Sequence, residues 1–304
     1  MSIVFHLDLN FKKSKASLTK GPANHNAGIF MEGSNGYSLF LIHGLTGTPN
    51  EMRSLAIFFN KQGYSVICPR LAYHGETLRV LKMAKWQDFY ASIREAYLNN
   101  DAVKRSERVF VAGLSMGALL ALLLAEEFPD KIAGVSCLAP TVYYDGWNAP
   151  WTKFLLPLGY HTPLKYFFYF KEDPPYGIKN ERIRNFIHRF YTKTGITDHD
   201  PGNIAKYGYP FFPVSQLHQI RLLAKYLLKR LPRITIPVQL IQAKDDDVSH
   251  IRSSGIIYER LGSKTKEMHL LYDSYHIITA DQERDKVTEL MRTFYDRING
   301  GDKK

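Results

Sequence analysis

At 304 residues, with 45% hydrophobic and 23% charged side chains, the chain has the apolar material for a large core and none of the bias of a disordered or fibrous protein. No apolar run approaches the length of a membrane span, which excludes a bundle of membrane helices. Forty Lys and Arg against 29 Asp and Glu give a net charge of +11, but the basic residues are scattered and no finger, recognition-helix or RNA-binding signature accompanies them. Nucleic acid is therefore excluded as a partner, and a solvated basic surface is expected, at most a weak attraction toward anionic membranes.

The first residues, MSIVFHLDLNF, are broken by His6 and Asp8 and have no basic residue ahead of their apolar part, so they lack the order of a signal peptide. Residues 1–26 read as an N-terminal extension. YSLFLIHG (37–44) reads as a buried strand, PNEMRSLAIFFNKQG (49–63) as an amphipathic helix with Pro49 in its first turn, and YSVICPR (64–70) as the next strand, together a β-α-β unit. A helix over 85–100, a strand over 107–113, a helix over 116–128 ending before Pro129, and a strand over 132–140 continue the alternation. Cys68 and Cys137 fall in strand-like runs, a setting for reduced, buried thiols that points to the cytoplasm.

The alternation then stops. Residues 141–233 are rich in aromatics and prolines and too long for an ordinary connection, so they read as an inserted cap between a first core segment (1–140) and a second (234–304). The aromatics between Trp147 and Phe170 exceed what a crossover needs, and some are expected to line an acyl pocket. After the insertion, a strand over 236–243, a helix near 251–261, a strand over 266–273 and a last helix from about 281 to 298 restore the pattern. The fold class is α/β, a mostly parallel sheet with helices on both faces.

Gly113-Leu114-Ser115-Met116-Gly117 is a G-x-S-x-G at the join of a strand and a helix, the context in which a tight turn lifts a serine hydroxyl clear of the sheet edge. The helix N-terminus behind it supplies unpaired N–H groups for a developing oxyanion. Serine needs a base and an orienting acid. QAKDDDVSH follows one late strand and YDSYHIITADQERD another, giving the order Ser…Asp…His with Asp245 or Asp246 as acid and His276 as base. Catalytic groups in open α/β sheets gather at the carboxyl ends of strands, so these distant loops can converge. His199, between Asp198 and Asp200, lacks further ligands at a recognised spacing and reads as a solvated turn; no metal or cofactor is expected.

Four motifs, LIHGLTGTP, GLSMG, DDDVS and LGSKTKEMHLLYDSYHIITADQERD, resemble the serine-dependent α/β-hydrolases, especially the bacterial carboxylesterase and monoacylglycerol-lipase-like group, from about residue 37 to the end. The resemblance implies an α/β-hydrolase fold and hydrolysis of carboxylic esters, with Ser115 as nucleophile, His276 as general base and Asp246 as its acid, and the apolar cap adds the expectation of a short-to-medium acyl chain. A gap-free count back from IIYERLGS lands on Asp246, while Asp245 matches only with a one-residue shift. Leu45 and Met116 would supply the oxyanion N–H groups, Gly44 would be required because a side chain would hinder the loop, and His43 and His74 would be structural. A small-molecule or lipid-like ester is the expected partner. Thioesterase, acyltransferase and peptidase chemistry share this constellation, and a non-catalytic binding module on the same fold is the alternative of another class.

Overall fold

The structure, a computed structural model, describes residues 2–5, 28–193 and 208–300. The chain enters with a short strand, β1 (Ser2–Phe5), whose partner comes much later. Then follow β2 (Ile29–Met31), β3 (Tyr37–Ile42), α1 (Arg53–Lys61), β4 (Ser65–Cys68), α2 (Leu78–Met83), α3 (Trp86–Asn99), α4 (Asp101–Arg105), β5 (Arg108–Leu114), α5 (Met116–Glu127) and β6 (Ile132–Leu138). Between β6 and the next core strand lie α6 (Leu156–Tyr160), β7 (Phe168–Lys171), α7 (Glu181–Lys193), β8 (Phe211–Pro213) and α8 (Val214–Leu228). The core closes with β9 (Val238–Ala243), α9 (Arg252–Arg260), β10 (Lys266–Leu271) and α10 (Arg284–Gly300).

Seven strands form one sheet in the order β10-β9-β6-β5-β3-β4-β2, parallel throughout except for β2, which runs antiparallel at its edge. The central strands are buried on both faces, which is why they read as continuous apolar runs rather than alternating ones. Helix α5 is apolar all round from Met116 to Ala125, all of them buried, so only its last two residues, Glu126 and Glu127, reach toward solvent. The elements expected from sequence are present with ends moved by a few residues. Pro69 stops β4 at Cys68, and a 3-10 turn at Pro49–Met52, capped by Thr48, precedes α1. β2, α2 and α4 are short additions.

Register explains how the site comes together. Ile42 pairs with Gly113, Leu114 with Leu138, Leu138 with Ile241, and Ala243 with Leu271. The carboxyl ends of β3, β5, β6, β9 and β10 are therefore level, and the loops leaving them open onto one edge of the sheet. Above that edge, β1, β7 and β8 make a small antiparallel sheet, so the N-terminal strand joins the segment that follows β6.

Candidate active site

β5 passes into α5 through Ser115 alone, whose φ of 58° and ψ of −116° put a non-glycine residue in the left-handed region. The turn is possible because its flanks are glycine. A Cβ on Gly113 would lie 2.1 Å from the Gly117 carbonyl oxygen, and one on Gly117 would lie 2.3 Å from that of Ile42. Ser115 N–H donates to the Leu138 carbonyl at 2.8 Å. Its Oγ lies 3.0 Å from Thr141 Oγ1, which itself donates to the Ala139 carbonyl at 3.3 Å, leaving Ser115 the donor of the pair. Met116 opens α5, so its N–H has no intrahelical acceptor.

The acid loop after β9 separates the three aspartates. Asp245 is exposed, whereas Asp246 is 3% exposed and its carboxylate meets His276 Nδ1 at 2.8 and 3.0 Å. The same carboxylate accepts from Val248 N–H (2.9 Å), Ser249 N–H (2.8 Å) and Gln242 Nε2 (2.9 Å), so its orientation toward the imidazole is fixed. Burial works against the charged form of His276, but the charge and hydrogen bond of Asp246, with Asp247 and Glu51 adding, outweigh it and set its pKa above the ordinary 6.5. Nδ1 being committed to Asp246, Nε2 is the free edge of the ring. Asp247, which the sequence did not single out, is buried too and accepts from the N–H groups of Gly177 (3.1 Å) and His276 (3.3 Å). Its burial and the neighbouring Asp246 charge raise its pKa to about 6.

Leu45 lies in the loop after β3, where a Cβ built on Gly44 would stand 3.7 Å from Ser115 Cβ. That is ordinary contact, so the expected need for glycine at 44 is not met; the close approach is at Gly47, where a Cβ would run into the Glu51 carboxyl at 2.0 Å. The Gly44 N–H donates to Glu51 Oε2 at 3.1 Å, and burial raises the Glu51 pKa to about 7. Both histidines flanking this loop are structural in their bonding. His43 Nδ1 donates to Gly44 O at 2.9 Å and Nε2 accepts from Leu71 N–H at 3.1 Å, while His74 touches the Leu45 carbonyl and burial drops its pKa to about 4.

Ser115, Leu45 and His276 share the wall of a cavity of about 580 Å³. Its apolar lining comes from α7, through Ile183, Phe186, Ile187 and Phe190, and from α8, through Leu217 and Ile220. The described aromatic side chains of 147–170 are placed elsewhere. Trp147 is 57% exposed, packs edge-on against Tyr275 and donates to the Asp245 carbonyl at 2.9 Å, while Phe154 is 63% exposed and Phe170 belongs to the core. The sequence did carry the right signal, because Ile183, Phe186, Ile187 and Phe190 stand at i, i+3, i+4, i+7. Glu172 also lines the cavity, and burial, helped by the Asp247 and Glu51 charges, raises its pKa to about 8. Among the described residues no group of three or more His, Cys, Asp or Glu is arranged to hold a metal ion; His199 lies outside them. No described helix is long and apolar enough to cross a membrane.

The family profile described as serine aminopeptidase, S33 (Hydrolase_4) matches residues 34–283. The chain belongs to this family. A thermostable monoacylglycerol lipase of Bacillus sp. (strain H-257) is 30% identical over 262 residues, which span 86% of this chain and 91% of the relative. A carboxylesterase of Bacillus subtilis (strain 168) is 24% identical over 264 residues, 86% of this chain and 93% of that protein. A solved structure described with LipS and LipT, two metagenome-derived lipolytic enzymes, superposes with a TM-score of 0.70 at 26% identity, covering 88% of this chain and 96% of the other. The seven-stranded sheet with its flanking helices is the α/β-hydrolase fold.

Proposed function

We propose that this chain hydrolyses carboxylic esters through an acyl-enzyme on Ser115, with monoacylglycerol-like esters of short-to-medium acyl chain as the substrate class. One observation carries the reading: a strained serine and an imidazole bonded to a buried carboxylate at 2.8 Å open onto one apolar cavity. Rotation of the Ser115 hydroxyl away from Thr141 presents Oγ to Nε2 of His276. The oxygen attacks the acyl carbonyl as its proton passes to Nε2, and the Asp246 carboxylate stabilises the resulting imidazolium. The N–H groups of Leu45 and Met116 stabilise the tetrahedral oxyanion. His276 then returns the proton to the leaving alcohol, and a water deprotonated by the same nitrogen releases the acid.

Residues 141–233, with β1 added to their sheet, act as a cap whose helices α7 and α8 hold the acyl chain. Glu172 is a polar group in the cavity wall, where a carboxyl with its pKa near 8 is largely protonated at neutral pH and can both donate to and accept from a hydroxyl of the alcohol. Cys68 and Cys137 are free and buried, which suits the cytoplasm. Glu172 and the family description favour one second reading, cleavage of an N-terminal residue, in which its carboxylate would take the substrate ammonium. A panel of aryl esters from two to twelve carbons, a monoacylglycerol, an acyl thioester and an aminoacyl anilide separates the two. We expect efficiency to rise from two to about eight carbons as methylenes are buried, with the anilide inert. Preference for the anilide, or a steady fall from two carbons onward, overturns the ester reading or the acyl-chain role of the cavity respectively.

A further inference from the structure

A second groove, of about 760 Å³, lies on the other side of the wall formed by Tyr144, Leu217 and Ile220, residues that line both spaces. Its floor is apolar: Leu217, Ile220, Ala224 and Leu228 of α8 stand at i, i+3, i+7, i+11, opposite Val142, Leu156 and Tyr160. Its lip is cationic, with Lys153, Arg221, Lys225, Lys229, Arg252 and Arg260 along it. Arg221, Lys225 and Lys229 follow each other at four-residue steps on α8 and at its C-cap, one row beside the apolar stripe. The only carboxylate among the described lining residues, Asp145, is taken by Arg252 and by the His250 N–H. Among the described residues Lys153, Lys225, Lys229 and Arg260 meet no acidic partner. The lining thus combines an alkyl-sized apolar trough with an unneutralised row of positive charge, a pairing suited to a ligand with a chain and an anionic head.

We propose that this groove binds an alkyl carboxylate, the chemical class of the acid released by ester hydrolysis, with the chain on the α8 stripe and the carboxylate against Arg221, Lys225 and Lys229. The assignment of the ligand as the reaction's product rests on the ester-hydrolase reading. An uncharged ester gains nothing from the cationic row, so the groove tells product from substrate by the one feature that hydrolysis changes. Its position across a shared wall from Ser115 gives the acid a place to bind outside the reaction cavity.

The test titrates decanoate into the protein after Ser115 has been capped by a long-chain alkyl phosphonate whose chain fills the reaction cavity. One site should remain, 1-decanol should bind it at least tenfold more weakly, and the variant Lys225→Glu/Lys229→Glu should weaken decanoate at least tenfold while turning over a butyryl ester at the parent rate. Decanoate binding indifferent to the charge reversal, or decanol binding as tightly as decanoate, overturns the proposal. So does binding of anionic vesicles alone, lost in the variant, which would make this face a membrane-docking surface. If the phosphonate does not react or the butyryl ester is not hydrolysed, the ester reading fails, and comparison of the uncapped parent with Lys225→Glu/Lys229→Glu still decides the groove. A single lysine reversal, Lys229→Glu, serves where the double variant folds poorly and should give an intermediate loss.

Discussion

The edge of the sheet and the segment that lies over it are built in different ways. At the sheet edge, positions are dictated by backbone: Ser115 is locked by two glycines whose Cβ atoms would collide with neighbouring carbonyls, and Asp246 is held by four donors besides its own loop geometry. Above it, the chain runs through short 3-10 turns and a three-stranded sheet, and large apolar side chains remain outside, including Leu158 at 72% and Leu164 at 52% exposure. The two regions are fastened by a few carboxylates. Asp247 takes the Gly177 N–H, and Asp281 takes those of Lys179 (2.7 Å), Asn180 (2.8 Å) and Tyr275 (2.8 Å), so the overlying segment is pinned to the loop that carries His276. The difference teaches that bond-making groups sit where the backbone permits one arrangement, while the surfaces that choose a substrate sit where side chains can be exchanged with less effect on the fold.

The sharpest way to break the comparison is at the acid loop. Asp246→Asn should lower kcat by about three to four powers of ten at neutral pH, since the wrong imidazole tautomer is then favoured. Asp245→Asn, in an exposed side chain one residue away, should change it by less than about threefold. Steady-state rates at matched folded concentration decide this, and a larger loss for Asp245→Asn would place the acid wrongly.

The overlying segment predicts a smaller and chain-selective effect. Phe190→Ala, on the α7 stripe, should cut kcat/KM for an octanoyl ester about tenfold and leave the acetyl ester within about twofold, because only the longer chain loses apolar contact. Equal losses for both esters would mean that α7 supports the catalytic loops instead of the acyl chain.

The smallest effect concerns Glu51 under the oxyanion loop. Its folded pKa, raised by burial to about 7 from an ordinary 4.5, means that ionisation opposes the folded state. The penalty is absent below about pH 4.5, grows as pH rises toward 7 and is complete above it. Glu51→Gln keeps an acceptor for the Gly44 N–H and removes the charge, so the variant should gain in Tm relative to the parent between pH 5 and pH 8. A difference in Tm that stays flat or shrinks over that range would show that Glu51 is not buried in its charged form.

The same division governs what could be read from sequence. The elbow was legible because its geometry demands glycine at fixed spacing, and the alternation of strands and helices followed from burial on both faces of the sheet. Gln242, Asp247, Thr141 and Glu51 were not legible as parts of the site. Asp247 and Thr141 act through contacts far along the chain, with Gly177 and Ser115, which no local periodicity announces, and Gln242 and Glu51 bond to Asp246 and Gly44 a few residues away, where nothing in the spacing separates them from ordinary polar residues. The cavity lining was misplaced for a different reason. Aromatic density marked residues 147–170, but an exposed Trp147 and Phe154 show that density without helical spacing does not tell which side faces inward.

The most direct measurement is the reaction of the protein with a serine-directed phosphonate, followed by mass mapping of the modified peptide, with the rate followed against pH. The account predicts one adduct, on Ser115, formed at a rate that rises through a midpoint above pH 6.5 as His276 loses its proton, and lost in His276→Ala. An adduct on any other serine, or labelling of Ser115 that persists undiminished without His276, would contradict it.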